Sequence, residues 1–294
     1  MLPGMKPASE ESTLDPGPAL YLVATPIGNL EDITLRALRV LKGVDMIACE
    51  DTRRTRKLLD HYNITTRTIS YHEHNEMTRA AELIIHLEQG TRIALVTDAG
   101  MPGISDPGFR LISLAIRHHL PVIPIPGASA FLAALVASGL PTDSFRFSGF
   151  LPSQRGERRT MLENIKTSSR TQVFYEAPHR ILEALANIVE ILGPERDIVI
   201  AREVTKIHEE FLRGRASEVL AELKERSAIK GEITLLIGKA GESLPSATPA
   251  RLSVRQRIEQ MMSEGLDEKA ALKKAAKEMG LARSEAYREW QRSK

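Results

Sequence analysis

Between Leu20 and Gly238, short runs rich in β-branched residues alternate with stretches of helical periodicity. That alternation restricts the fold more than any other feature of the chain, because strands separated by helices indicate an α/β class with largely parallel sheets. The strand-like runs are LYLVAT (20–25), MIACE (46–50), TISYH (68–72), RIALVT (92–97) and PVIPIP (121–126), the last with prolines that suit a sheet edge or a strand end. A second series is FRFSGF (145–150), QVFYE (172–176), DIVIARE (197–203) and EITLLIG (232–238). Helical periodicity is clear over 34–42, where Leu35, Leu38 and Leu41 are expected on one face before Gly43, and over 178–192, ahead of Gly193.

These strands make one large sheet or two smaller ones. The small-residue segment GASAFLAALVASG (127–139) lies midway, so one α/β domain is expected over residues 19–128 and another over 129–240. Residues 1–18 read as a flexible tail rich in Pro, Ser and acids, and 241–250 as a linker. Residues 251–294 read as a small helical module, with helices over 252–263, 267–279 and 284–292. Gly280-Leu281-Ala282-Arg283 joins the last two with helix-turn-helix spacing.

The composition, 42% hydrophobic and 27% charged over 294 residues, is that of a soluble globular protein. A single cysteine, Cys49, excludes an intramolecular disulfide framework and a zinc site of paired cysteines, and fits a reducing cytoplasm. The longest apolar runs, such as Leu20 to Ala24, fall well short of the ~20 residues of a membrane span. A cytoplasmic protein with no membrane partner is therefore expected. Eleven Lys or Arg face seven Asp or Glu from Pro245 to Lys294, while the rest of the chain is slightly acidic. The basic module suits a polyanionic partner, and a solvated helical surface equally.

No GxGxxG follows a strand, and there is no GxxxxGK[ST], HExxH or Gly-x-Ser-x-Gly. No metal is expected: His72 and His74 flank Glu73 beside a strand, where alternate residues face opposite ways. Three glycine-rich loops stand at strand ends: ATPIGNLED (24–32), TDAGMPGISDPG (97–108) and PIPGASAF (124–131). The second holds three glycines in twelve residues, more than a chain reversal needs. Ligands of open α/β sheets collect at such ends, and glycine lets the backbone approach them closely. Charged groups also close strands: Glu50-Asp51-Thr52-Arg53-Arg54, Tyr175-Glu176-Ala177-Pro178-His179-Arg180 and Arg202-Glu203-Val204-Thr205-Lys206. Taken singly these are ion pairs covering strand ends or site residues; jointly they suggest a charged cleft.

In order along the chain, TPIGNLED, CEDTRRT, TDAGMPGISDPG, PGASA, FYEAPHR, AREVTKIHEE and GEITLLIG closely resemble the ribosomal RNA small subunit methyltransferase I group of the tetrapyrrole-methylase superfamily. The resemblance implies two α/β domains with S-adenosylmethionine in the cleft between them, a helix-turn-helix-like C-terminal appendage, and a homodimer. It implies 2′-O-methylation of a cytidine in the decoding region of 16S rRNA, within the small ribosomal subunit. It assigns cofactor contacts to Pro26 and Gly28, to Asp98, Ala99, Gly100, Ile104 and Ser105, to Ser129 and Ala130, and to Tyr175, Ala201 and Thr234. Asp98-Ala99-Gly100 stands where tetrapyrrole-acting relatives carry Gly-Asp-Pro, a departure that favours RNA as substrate.

A ribose hydroxyl is a weak acid, so a base beside it, or a cation at the developing alkoxide, assists methyl transfer. Asp98, Glu50, Glu176, Glu203, His179 and Lys206 are unranked candidates. Arg53, Arg54, Arg180 and Arg202 suit phosphate contacts. With 4% aromatic residues, an extensive stacking platform is not expected, and Tyr175 suits a stacked ring or a core position alike. Two other functions stay open: the same fold acting on a tetrapyrrole or protein side chain, and a ligand-sensing regulator that binds nucleic acid.

Overall fold

The computed structural model describes residues 17–241, 254–263, 265–278, 287–288 and 290. Two compact units divide the chain, Met1–Glu242 and Ser243–Lys294.

In the first unit, strands β1 (Leu20–Val23), β2 (Met46–Cys49), β3 (Thr68–Ser70), β4 (Ile93–Val96) and β5 (Val122–Ile125) pair in parallel, in the order β3-β2-β4-β1-β5. The proline-bearing β5 is an edge strand. Helices α1 (Leu35–Gly43), α2 (Thr52–His61), α3 (Glu76–Glu88) and α4 (Phe109–Arg117) connect them. Alternation along the strands divides the apolar residues between two faces. Val23, Ile47 and Ala94 pack with Val40, Leu41 and Leu59 of α1 and α2; Leu20, Ala48 and Leu95 pack with Leu83, Leu87 and Leu111 of α3 and α4. Burial on both faces accounts for the unbroken apolar runs of β2 and β4.

Thr34 starts α1 by accepting a hydrogen bond from the Ala37 N–H, and Asp51 starts α2 by accepting one from Arg53. The buried face of α1 matches the expected one only in part: Leu41 is buried and Leu38 packs against the core. Ala37, Val40 and Leu41 are buried, whereas Leu35 is 84% exposed. Steps of three lag the 3.6-residue turn by about 60° each, so Leu35, Leu38 and Leu41 spiral around the helix.

The second sheet departs from the parallel expectation. Helix α5 (Ala130–Ser138) leads to β6 (Phe145–Phe150), and β7 (Thr171–Glu176), β8 (Asp197–Arg202), β9 (Glu210–Arg215) and β10 (Ile233–Ile237) complete the order β6-β7-β10-β8-β9. Only β6 and β7 run parallel; the other three pairings are antiparallel. The short 203–209 connection is too brief for a crossover, so β9 must fold back on β8. Strand β9, EFLRGR, has no counterpart in the sequence reading: on a partly exposed edge it carries one Glu and two Arg instead of an apolar run. Helices α6 (Arg155–Ile165), α7 (Ile181–Leu192) and α8 (Ala216–Lys224) put Leu162, Leu185 and Val219 against Phe174, Ile198, Ile200 and Leu235 on one face of this sheet. Helix α7 begins later than its periodicity suggests, because Pro178 and His179 occupy a turn closed by Arg180 N–H to Ala177 O at 3.0 Å. It ends at Gly193, with φ +98°.

In the second unit, α9 (Val254–Ser263) and α10 (Glu268–Glu278) enclose Ile258, Met261, Leu272 and Ala275 together with Trp290. The turn at 280–283 and most of the expected third helix lie outside the described residues, although Tyr287, Arg288 and Trp290 are helical. Residues 1–16 of the tail and 242–250 of the linker also lie outside them. Among the described residues, no helix is long and apolar enough to cross a membrane.

Candidate active site

The three glycine-rich loops leave β4, β1 and β5, which are neighbours in the parallel sheet, so their C-terminal ends converge. Thr25 and Gly100 join the first two loops, each donating its N–H to the other's carbonyl at 2.9 and 3.0 Å. Gly100 holds φ +83° and Gly108 φ +146°, a region that L side chains adopt only under strain. Between them Ser105 holds φ +60° without being glycine, and Glu203 and Thr205 do the same across the cleft, at +52° and +69°. Such strain persists where the surroundings enforce it.

From the second sheet, cross-strand register brings together residues far apart in sequence. Thr234 of β10 lies opposite Tyr175 of β7 on one side and Ala201 of β8 on the other. Alternation puts all three on the face opposite Phe174, Ile200 and Leu235, away from the main core of that sheet. The Tyr175 ring makes edge contacts with Phe147 and Phe150 at 5.0 and 5.5 Å between centroids, and burial pushes its hydroxyl up to about 12.

Loops and sheet face partly enclose a cavity of about 280 Å³. Its walls include Ala99, Gly100, Ile104, Ser105, Ser129, Ala130, Tyr175, Ala201 and Thr234, nine of the residues proposed as cofactor contacts. A second, more open cavity of about 470 Å³ takes Pro26, Gly28 and Asp98, with Glu50 and Arg54. Ile27, Ala99, Asp106 and Glu232 border both. The loops that follow β1 and β8 are also tied together: Thr205 Oγ1 accepts a hydrogen bond from Asn29 N–H at 3.1 Å.

Carboxylates dominate the electrostatics. Burial, then the charge of Asp98, raises the Glu50 carboxyl above its ordinary range. Burial, then the charges of Glu50 and Asp98, pushes Asp106 up to about 6. Asp98 is paired with Arg54 at 2.8 Å, and one of its oxygens is buried without a hydrogen-bond partner. Glu176, whose side chain is 0% exposed, pairs with Arg180 at 2.6 Å through one oxygen, while the other has no partner beside the enclosed cavity.

The charged candidates therefore separate. Glu50, Asp98 and Glu176 line cavities. Glu203 and Lys206 pair with each other at 2.9 Å, and Lys206 also holds Glu232 at 3.0 Å. Although burial opposes it, these bonds raise the Lys206 ammonium. His179 is exposed and borders neither of the two cavities. Arg54 reaches the open cavity, and Arg53 stands beside it in sequence with its side chain 88% exposed. Arg180 is paired with Glu176 at the border of the enclosed cavity, and Arg202 is committed elsewhere, to Glu210 at 2.9 Å and to the Lys230 carbonyl at 3.1 Å. Sequence reasoning passed over Asp106, Phe150 and Gly231, all of which border the enclosed cavity. The second aspartate of TDAGMPGISDPG was the available signal for Asp106; nothing local marks the other two.

A cavity fringed by Asp106, Glu176 and Glu232, with Gly100 in its wall, suits a cationic ligand. A Cβ added at Gly100 would sit in van der Waals contact with Ile27 Cγ2 at 3.7 Å and the Ala128 carbonyl at 3.8 Å, so anything larger than a methyl group there would crowd its neighbours.

Residues 19–220 match the model of the tetrapyrrole (corrin/porphyrin) methylases. The ribosomal RNA small subunit methyltransferase I of Halalkalibacterium halodurans is 48% identical over 96% of this chain and 98% of its own length. That of Synechocystis sp. is 47% identical over 91% and 95%. Among solved structures, the uroporphyrin-III-C-methyltransferase of Thermus thermophilus superposes with a TM-score of 0.54 at 22% identity, covering 75% of this chain and 94% of its own; this likeness is one of fold. The chain belongs to the tetrapyrrole methylase family, in the branch formed by the ribosomal RNA small subunit methyltransferase I proteins.

Proposed function

We propose that this protein is an S-adenosylmethionine-dependent methyltransferase that methylates the ribose 2′-hydroxyl of a cytidine in the decoding region of 16S rRNA. Its two α/β halves, divided near residue 128, would act within a homodimer. The observation that carries the reading is the pair of adjoining cavities, one enclosed and bordered by loops and carboxylates, the other open and polar. The names of the relatives support rRNA as the class of substrate.

S-adenosylmethionine, when bound, supplies a methyl group already activated on a sulfonium. The chain's own task is then to hold donor and acceptor in line and exclude water, and positioning of that kind lowers a barrier substantially. In this reading Gly100, Ala99 and Ala130 offer main-chain contacts, while Tyr175, Ala201 and Thr234 form the opposing wall. Glu176 would add a negative charge at the border of the enclosed cavity. Ribose enters the open cavity between Pro26 and Glu50. Arg53 and Arg54 meet the flanking phosphates, since guanidinium groups bind them in a bidentate fork.

The test is transfer of labelled methyl from S-adenosylmethionine to small ribosomal subunits of a strain lacking the gene, followed by nucleoside analysis. The expected product is 2′-O-methylcytidine in the decoding region. Label on a different nucleoside, on protein or on a small molecule would overturn the reading.

A further inference from the structure

We propose that Asp106 is the proton acceptor for the hydroxyl that receives the methyl group. This deepens the 2′-O-methyltransferase reading above and rests on it. Transfer from the enclosed cavity to an acceptor in the open one must cross their shared border, and Ile27, Ala99, Asp106 and Glu232 form that border. Two of these four carry carboxylates. Glu232 has a side chain 77% exposed and is already paired with Lys206 at 3.0 Å. Asp106 is partly buried, and among the described residues no cation pairs with it.

The remaining carboxylates of the open cavity are less suited. Asp98 is committed to Arg54 at 2.8 Å. Glu50 borders the open cavity but not the enclosed one. The groups acting on Asp106 are the Thr97 hydroxyl and the charges of Glu50, Asp98 and Glu232. Ser105, immediately before it, is held at φ +60°, in a loop bounded by Gly103 and Gly108 at +81° and +146°. Strain of this kind gathers where a side chain must be aimed. A carboxylate pushed up to about 6 is mostly ionised at neutral pH and yet more basic than an ordinary aspartate, the compromise that general-base catalysis favours. In the step, the 2′-oxygen bonds to the methyl carbon as the carbon–sulfur bond breaks. That electron pair stays on sulfur, which becomes a neutral thioether, and the hydroxyl proton passes to Asp106.

The experiment compares wild type, Asp106→Asn and Glu50→Gln in single-turnover methylation of small subunits from pH 5 to 8, with S-adenosylmethionine binding followed by calorimetry. Wild type is expected to show an acid limb near pH 6. Asp106→Asn is expected to react about 10²- to 10⁴-fold more slowly and to lose that limb, with cofactor affinity changed by less than about tenfold. Glu50→Gln removes a charge that raises Asp106, so its limb should move to lower pH. Should Asp106→Asn fail to fold, the Glu50→Gln profile still decides. A near wild-type rate or a surviving limb in Asp106→Asn would overturn the proposal, as would a limb in Glu50→Gln that stays in place or moves to higher pH. Absence of any methylated ribose with wild type would instead remove the functional reading itself.

Discussion

The two sheets of the first unit approach the same cavity in opposite ways. The parallel sheet ends β4, β1 and β5 side by side and presents the loops that follow, so its contribution at Ala99, Gly100 and Ala130 is chiefly main chain. The mixed sheet presents a strand face, with Tyr175, Thr234 and Ala201 in cross-strand register, so its contribution is side chains. In a parallel sheet every strand points its C-terminus at one edge, and binding depends on loop conformation. In an antiparallel arrangement neighbouring strands point opposite ways, and binding depends on which residues share a face.

This contrast predicts the largest effect at Gly100. Gly100→Val forces a β-branched residue into φ +83° and puts its methyl groups beyond a Cβ that already touches Ile27 and the Ala128 carbonyl. The strain alone costs about 1–3 kcal/mol, and S-adenosylmethionine affinity should fall by about 100-fold in calorimetry on a variant with wild-type circular dichroism. Thr234→Ala, on the strand face, should weaken binding by about tenfold or less, the scale of one net hydrogen bond. A larger loss from Thr234→Ala than from Gly100→Val would break the comparison.

The junction between the two halves comes next. A Cβ at Gly28 would lie 2.4 Å from Lys206 Cγ and 2.8 Å from Thr205 Oγ1, so the loop after β1 and the strained loop after β8 fit only with glycine there. Gly28→Val should cost about 1–3 kcal/mol of stability, typical of overpacking, and lower the melting temperature by several degrees. An unchanged melting temperature would mean that the two loops separate freely.

The smallest effects distinguish the cleft from the outer edge of the mixed sheet by their pH dependence. Glu210 is held down to about 2, first by its hydrogen bonds to Arg226, with Arg202 adding to them. Its folded value lies below its unfolded one, so its stabilisation is complete above the ordinary glutamate range and is lost as pH falls towards 2. Asp106, pushed up to about 6, has the opposite sign: ionisation opposes folding, and the penalty grows as pH rises from about 4 through 6. Glu210→Gln should therefore lower the melting temperature at pH 7, with the difference shrinking in acid. Asp106→Asn should raise it at pH 8 relative to wild type and leave it level below pH 4. A destabilised Asp106→Asn at pH 8 would place that carboxylate among the stabilising groups.

Much of this arrangement was legible in local sequence. Apolar, β-branched or aromatic runs mark nine of the ten strands among the described residues, and most of these runs are buried on at least one face, which demands apolar residues over a few consecutive positions. The glycines of TDAGMPGISDPG announce a backbone that needs positive φ, and Gly100, Gly103 and Gly108 have it. What stayed hidden belongs to partners distant along the chain. Strand β9 reads as polar surface and becomes a strand only because β8 offers it an edge. The meeting of residues 175, 201 and 234 follows from register, which the turns and the sheet order decide. The charge state of Asp106 depends on Glu50 and Asp98, carried there by other strand ends. The sequence by itself determined which segments form strands and where the backbone needs glycine, since propensity and φ are properties of a few consecutive residues. The tertiary structure alone decided the antiparallel order of the second sheet and the basicity of its opposing carboxylate, since both are set by neighbours in space.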